Sequence, residues 1–196
     1  MPTSTRILMM IAAALLSLGA VGLALGDDDE DDEARGGWLR PRADVAPVTN
    51  ETYVRECGSC HMAYQPGLLP GDAWILIMQP TSLAAHFGDD ASLSEDLRAE
   101  IASYLKANSA DRAGRSRSRA FAVAARPDAA GQGTGLPRIT RTRYFLHEHD
   151  EIPPRLVIGN PDVGSFSQCD SCHRGAADGV YNEKQVSVPG HGRWED

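Results

Sequence analysis

Two short stretches, Cys57-Gly58-Ser59-Cys60-His61 and Cys169-Asp170-Ser171-Cys172-His173, decide how the chain is read. They use all four cysteines of the 196 residues, and each ends in a histidine. With six histidines in 196 residues, a His directly after both pairs arises by chance in about one in a thousand chains that already hold the pairs. C-x-x-C-H is the attachment pattern of c-type haem. Two thiols add across the two vinyl groups of one porphyrin, and a helical turn ending in His sets an imidazole nitrogen under the iron. Zinc fits poorly, because 108 residues separate Cys60 from Cys169 where paired structural sites leave about 15 to 20. Neither pair lies beside a strand-helix-strand pattern, as thioredoxin-type chemistry requires. Two covalently bound haem c groups are expected, held through Cys57, Cys60, Cys169 and Cys172, with His61 and His173 as proximal ligands.

The composition agrees with a cofactor-filled interior. The chain is 42% hydrophobic and 23% charged but only 6% aromatic, and carries 19 Gly and 12 Pro. That predicts one or two small domains of short helices and loops, and excludes both a large enzyme core and a disordered chain. Two porphyrins would add the apolar surface such a chain lacks.

The remaining ligand positions set the function. A His or Met on the sixth site closes the iron for electron transfer, whereas a vacant site admits oxygen, nitric oxide or peroxide. For the first haem, His86 falls in a loop between two predicted helices and is the preferred ligand. Met78 reads as core within a helix, and Met62 follows His61 too closely to reach the opposite face. For the second, His149 is preferred over His147 and His191. An extended chain would point both His147 and His149 to one face.

At the N-terminus, Arg6 precedes an apolar run from Ile7 to Leu25, with Ala24 and Gly26 as small residues before Asp27. This reads as a signal peptide over residues 1–26, with a retained membrane anchor as the alternative. Removing it leaves 18 basic against 27 acidic residues, of which seven acids are Asp27 to Glu33. The acidity therefore belongs to a tail, drawn over residues 27–48, and nucleic-acid binding has no support.

The expected organisation continues with a first haem domain over 49–109, an Arg-rich linker over 110–135 and a second haem domain over 136–196. Thr49 or Asn50 caps a helix running into Cys57, and Asp72 opens a second apolar helix closed by Pro80. Ser92 and Glu95 form a capping box for a third helix carrying Leu93, Leu97, Ile101, Tyr104 and Leu105 on one face and ending near Asn108. From Arg112 to Arg143 there are eight Arg and one acid, Asp128. These read equally as a docking patch for an acidic carrier or as partners for haem propionates and the tail. Residues 139–146 carry a mixed run assigned to neither helix nor strand. Trp38, Trp74, Trp194, Tyr53, Tyr64, Tyr104 and Phe87 read as haem-packing or surface aromatics rather than redox relays.

The stretch from Glu56 to Pro70, ECGSCHMAYQPGLLP, followed by His86 to Asp89 and Ala91 to Leu93, resembles the dihaem cytochrome c family. Arg138 to Thr140, His149 to Ile152 and CDSCH extend the likeness over roughly residues 49–190. The resemblance implies a mainly α fold: a class I cytochrome c-like haem domain followed by a largely irregular second haem-binding domain. It implies two bis-His haems, with His86 and His149 as distal ligands, and an electron carrier rather than an enzyme. It further implies a periplasmic setting with redox partner proteins, namely an oxygen-binding monohaem cytochrome and a membrane cytochrome b. A dihaem peroxidase or a gas-binding sensor is the alternative, since both need one open iron.

Overall fold

Helix α1, Glu51–Cys57, begins where Asn50 Oδ1 accepts from the Tyr53 amide at 2.6 Å, so the asparagine satisfies one of the first turn's free N–H groups. The start of α1 is tied to helix α4, Glu95–Ala107, because the Thr49 amide donates to the Tyr104 hydroxyl at 3.0 Å. Helix α2, Gly71–Ile77, packs on α4, with Trp74, Ile77 and the adjacent Met78 buried against Ile101, Ala102 and Leu105. The Trp74 indole still finds an acceptor, donating to the Pro66 carbonyl at 2.7 Å. Asp111 closes the start of α2 from 40 residues away, accepting from the Gly71 amide at 2.8 Å and the Ser109 hydroxyl at 2.7 Å.

The structure is a computed structural model and describes residues 42–123 and 135–194. The expected signal peptide, the Asp27 to Glu33 acidic run, Trp38, Arg126 and Asp128 lie outside the described residues. Pro41–Asp196 forms one compact unit, and none of its described helices is long and apolar enough to cross a membrane.

Two helix boundaries differ from expectation. Helix α4 starts at Glu95 after Ser94, which makes no side-chain cap bond, so Ser92 is not its cap. The Ser92 amide instead donates to Asp90 Oδ1 at 2.9 Å and the Ala91 amide to the Leu83 carbonyl at 2.9 Å, which holds this approach to the helix in another course. Pro80 ends α2 as expected but also starts a short helix α3, Pro80–Leu83, since proline at a first helical position has no N–H to leave unsatisfied.

Two segments expected to hang free are packed. Val45 is fully buried, and the Asp44 and Val45 amides both donate to the Gly179 carbonyl, at 2.9 and 3.1 Å. Gly179 sits at φ 77°, and a Cβ there would collide with the Val45 carbonyl, so glycine is required twice over. Residues 42–48 are therefore a strap and not the end of a tail. Likewise residues 110–123 hold helix α5, Ser116–Ala120, and bury Ala110, Ser118 and Phe121 with Val45, Leu68 and Phe145.

The second half has little regular structure, in line with the mainly α, largely irregular expectation. A 3₁₀ turn at Ile139–Arg141 leads into helix α6, Arg143–Glu148, capped by Thr142 Oγ1, which accepts from the Phe145 amide at 3.2 Å. Helix α7, Cys169–Cys172, and an antiparallel pair, β1 Ser187–Val188 with β2 Gly192–Arg193, complete it.

The halves meet along a polar seam. Gln65, fully buried, donates from Nε2 to the Ala176 carbonyl at 2.6 Å and accepts at Oε1 from the Tyr181 hydroxyl at 2.6 Å. Tyr64 donates to the Ser167 carbonyl at 2.8 Å. Replacing Gln65 by Leu takes the acceptor from the Tyr181 hydroxyl, which costs about 1–3 kcal/mol, while the Ala176 carbonyl keeps the Gly179 amide as donor. Thermal unfolding of the haem-loaded Gln65→Leu protein is expected to show a melting temperature lower by several degrees, and an unchanged value would contradict the seam's role.

Candidate haem sites

At the first site, α1 delivers Cys57 at its last residue, half-buried against the first core, and the following turn presents Cys60 to solvent. His61 comes next, with its Nδ1 2.8 Å from the Met62 carbonyl, which takes the Nδ1 proton and leaves Nε2 as a free lone pair. The Tyr64 ring stacks on the His61 ring at 4.7 Å. Facing it, His86 stands in a turn closed by the Asp89 amide, which donates to the His86 carbonyl at 3.1 Å. The turn needs Phe87 at φ 53° and Gly88 at φ 116°, and the Arg138 guanidinium lies over the Phe87 ring at 4.1 Å. The His61 and His86 ring centres are 6.4 Å apart with planes 24° from parallel.

The second site repeats the arrangement in other elements. Helix α7 carries Cys169 and Cys172, and the His173 amide donates to the Cys169 carbonyl at 2.8 Å, so the motif closes one helical turn. His149 lies at the end of α6, stacked on Phe145 at 3.9 Å, with its Nδ1 2.9 Å from the Phe145 carbonyl. The His149 and His173 ring centres are 6.1 Å apart, their planes crossed at 67°. A cleft of about 1080 Å³ opens here, lined by Phe121, Phe145, Phe166, Val163 and Val186 with Arg117 at its edge.

Helix α6 separates the two histidines that the spacing alone left together. On an extended chain they would share a face, but on a helix residues two apart point roughly 200° away from each other. His147 is exposed while His149 turns inward. His191 is exposed, Met62 adjoins His61, and Met78 is buried in the first core.

The donors suit an iron porphyrin. A metal–imidazole bond of about 2 Å and about 1 Å more to the ring centre separate two trans imidazoles by about 6 Å, the spacing of both pairs. Nδ1 of His86 and of His173 is buried with no hydrogen-bond partner in the protein. Burial pushes the Cys57 thiol up to about 11 and the Cys169 thiol up to about 12, with Glu56 and Asp170 adding to it. Among the described residues no three His, Cys, Asp or Glu side chains converge as a metal cluster of their own.

The dihaem cytochrome c family profile matches residues 53–181. The chain belongs to the dihaem cytochrome c family. Among solved structures it is similar to a dihaem c-type cytochrome from Shewanella baltica OS155, with 41% identity and a TM-score of 0.59 over 74% of this chain and 98% of the other. It is also similar to the dihaem cytochrome c of Rhodobacter sphaeroides, with 37% identity and a TM-score of 0.55 over 70% of this chain and all of the other. No curated protein matches. As a dihaem cytochrome, the chain carries two covalently attached haem c groups, as its two motifs predicted, and its role is haem-based electron transfer.

The Arg-rich stretch singled out in the sequence has particular partners in the fold. Arg117 lies 3.9 Å from both Asp44 and Glu148 and donates to the Tyr144 hydroxyl at 3.0 Å. Arg115 donates to the Ala43 carbonyl and Arg119 to the Gly114 carbonyl. Arg115 and Arg117 of the Arg-rich stretch are thus tied into the fold, while Arg112, Arg119, Arg141 and Arg143 are exposed.

Burial holds the imidazoles of His86, His149 and His173 below their ordinary range, His173 at about 4, with the neighbouring His of each pair also disfavouring charge on His86 and His173. An unfolded chain takes up these protons below about pH 6.5 and the folded one does not, so the stability they confer is complete above that value. It drains as the pH falls toward 4. Intact-mass measurement is expected to find two haems per chain, and one in a Cys169→Ser/Cys172→Ser variant.

Proposed function

We propose that this dihaem cytochrome is an exported, periplasmic one-electron carrier in which both irons are held on two faces by histidine, His61 with His86 and His173 with His149. The observation that carries the reading is the pair of facing imidazoles, each about 6 Å apart, at both attachment motifs. When bound, haem supplies an iron that gains and loses one electron, at a potential set largely by its axial ligands. The chain's part is to keep those ligands fixed and shielded. Met62 and Phe145 carbonyls orient His61 and His149, while the fold half-buries His86 and His173. With both faces taken, no position is left for peroxide or a gas, which favours a carrier over a peroxidase or sensor.

Export rests on the apolar run from Ile7 to Leu25, cleaved before Asp27 or kept as an anchor to the inner membrane. The partner class is a monohaem oxygen-binding cytochrome as acceptor, with a membrane cytochrome b as donor, following the family likeness.

Low-temperature electron paramagnetic resonance of the oxidised protein tests the ligand reading. Two distinct low-spin signals are expected, because near-parallel rings split the iron orbitals more than crossed rings do. His86→Met is expected to change one and His149→Ala the other. A high-spin ferric signal in the unaltered protein, carbon monoxide binding once that protein is reduced, or a change caused by His147→Ala instead, would overturn the assignment.

A further inference from the structure

Between the two attachment motifs runs a chain of contacts that the ligand sets do not require. The Tyr64 ring lies flat on His61, 4.7 Å between centres and 19° from parallel. Its hydroxyl donates across 103 residues to the Ser167 carbonyl at 2.8 Å, and that same carbonyl is 3.8 Å from Cys169 Sγ. Gln65, the next residue, accepts at Oε1 from the Tyr181 hydroxyl at 2.6 Å, and the Tyr181 ring stands edge-on to His173 at 5.3 Å. Each proximal imidazole therefore carries a tyrosine, and the two tyrosines are joined by one peptide link and one short hydrogen bond.

We propose that Tyr64, Gln65 and Tyr181 are the bridge that couples the two haem sites electronically, setting how fast an electron passes from one to the other. The proposal rests on the carrier reading above. Electron tunnelling weakens steeply with separation, and less steeply through bonded and hydrogen-bonded atoms than across a gap. The seam offers two such routes: one runs from His61 through Tyr64 and its hydroxyl to the Ser167 carbonyl and along the backbone to Cys169, and the other through His61, Tyr64, Gln65, Tyr181 and His173. The step moves one electron, oxidising one site as it reduces the other, and no bond forms or breaks. Both phenols hold their protons in hydrogen bonds, Tyr64 to the Ser167 carbonyl and Tyr181 to Gln65 Oε1. The sequence reading of Tyr64 as a packing aromatic gave no hint of this, because its second partner is so distant in the chain.

The test uses the full, haem-loaded chain with Tyr64→Phe, Tyr181→Phe and the double variant, each of which keeps the ring and removes the hydroxyl. Pulse reduction of one site, followed by its re-equilibration with the other, reads the internal exchange rate, corrected for midpoint potentials measured on each variant. Tyr104→Phe serves as the comparison, since it loses a hydrogen bond to the Thr49 amide away from the seam. The expected result is a several-fold slower exchange in each seam variant and a further loss in the double variant, with both paramagnetic signals retained and Tyr104→Phe exchanging at the unaltered rate. Exchange at the unaltered rate in both single variants, or an equal slowing in Tyr104→Phe, would overturn the bridge. Failure of the ligand reading shows separately, as a wrong signal in the unaltered protein, and leaves the rate comparison between variants intact.

Discussion

Two imidazoles at the centre of this fold, those of His86 and His173, each bury an Nδ1 that finds no hydrogen-bond partner in the protein. Each faces a second imidazole at the separation a shared metal imposes. The local structure around them is arranged to hold that separation. Phe87 takes a left-handed backbone conformation to present His86, and a six-residue helix ends at His149. Neither device has a purpose in a chain whose interior is protein alone. The second half shows the same dependence differently: its few short elements surround a cleft of about 1080 Å³ rather than a continuous apolar core. Filling it with porphyrin removes aromatic and aliphatic surface from water at about 25 cal/mol per Å².

The halves are not beads on a string. The strap at residues 43–45, the turn at 65–68, helix α5 and the loop at 176–181 interlock, with Gln65 as their shared hydrogen-bonding hub. A buried amide satisfied at both ends fixes geometry more tightly than apolar contact does, because displacement strands its partners. A carrier with two redox sites needs that constraint, since transfer between them depends on a constant separation.

What could be read in the sequence was what depends on near neighbours. The C-x-x-C-H turns, the Asn50 cap and the burial of Ile101 and Leu105 on α4 are all written within a few residues, whereas Leu93, expected on the same face, falls before the helix starts. The capping box at Ser92 went elsewhere because Asp90 and Leu83 compete for the same stretch of backbone. His147 and His149 could not be told apart without knowing that the mixed run before them is helical. The strap and α5 were illegible for another reason: Val45 and Phe121 are lone apolar residues in polar or Arg-rich surroundings, and only partners far along the chain give them a place in a core. Gln65 and Tyr181, 116 residues apart, carry no local mark at all.

The most direct measurement is a crystal structure of the haem-loaded protein with iron located by anomalous scattering. Two iron atoms are expected, one between the rings of His61 and His86 and one between those of His149 and His173. An iron faced by water, by Met78 or by His147 in place of either distal histidine would contradict the account.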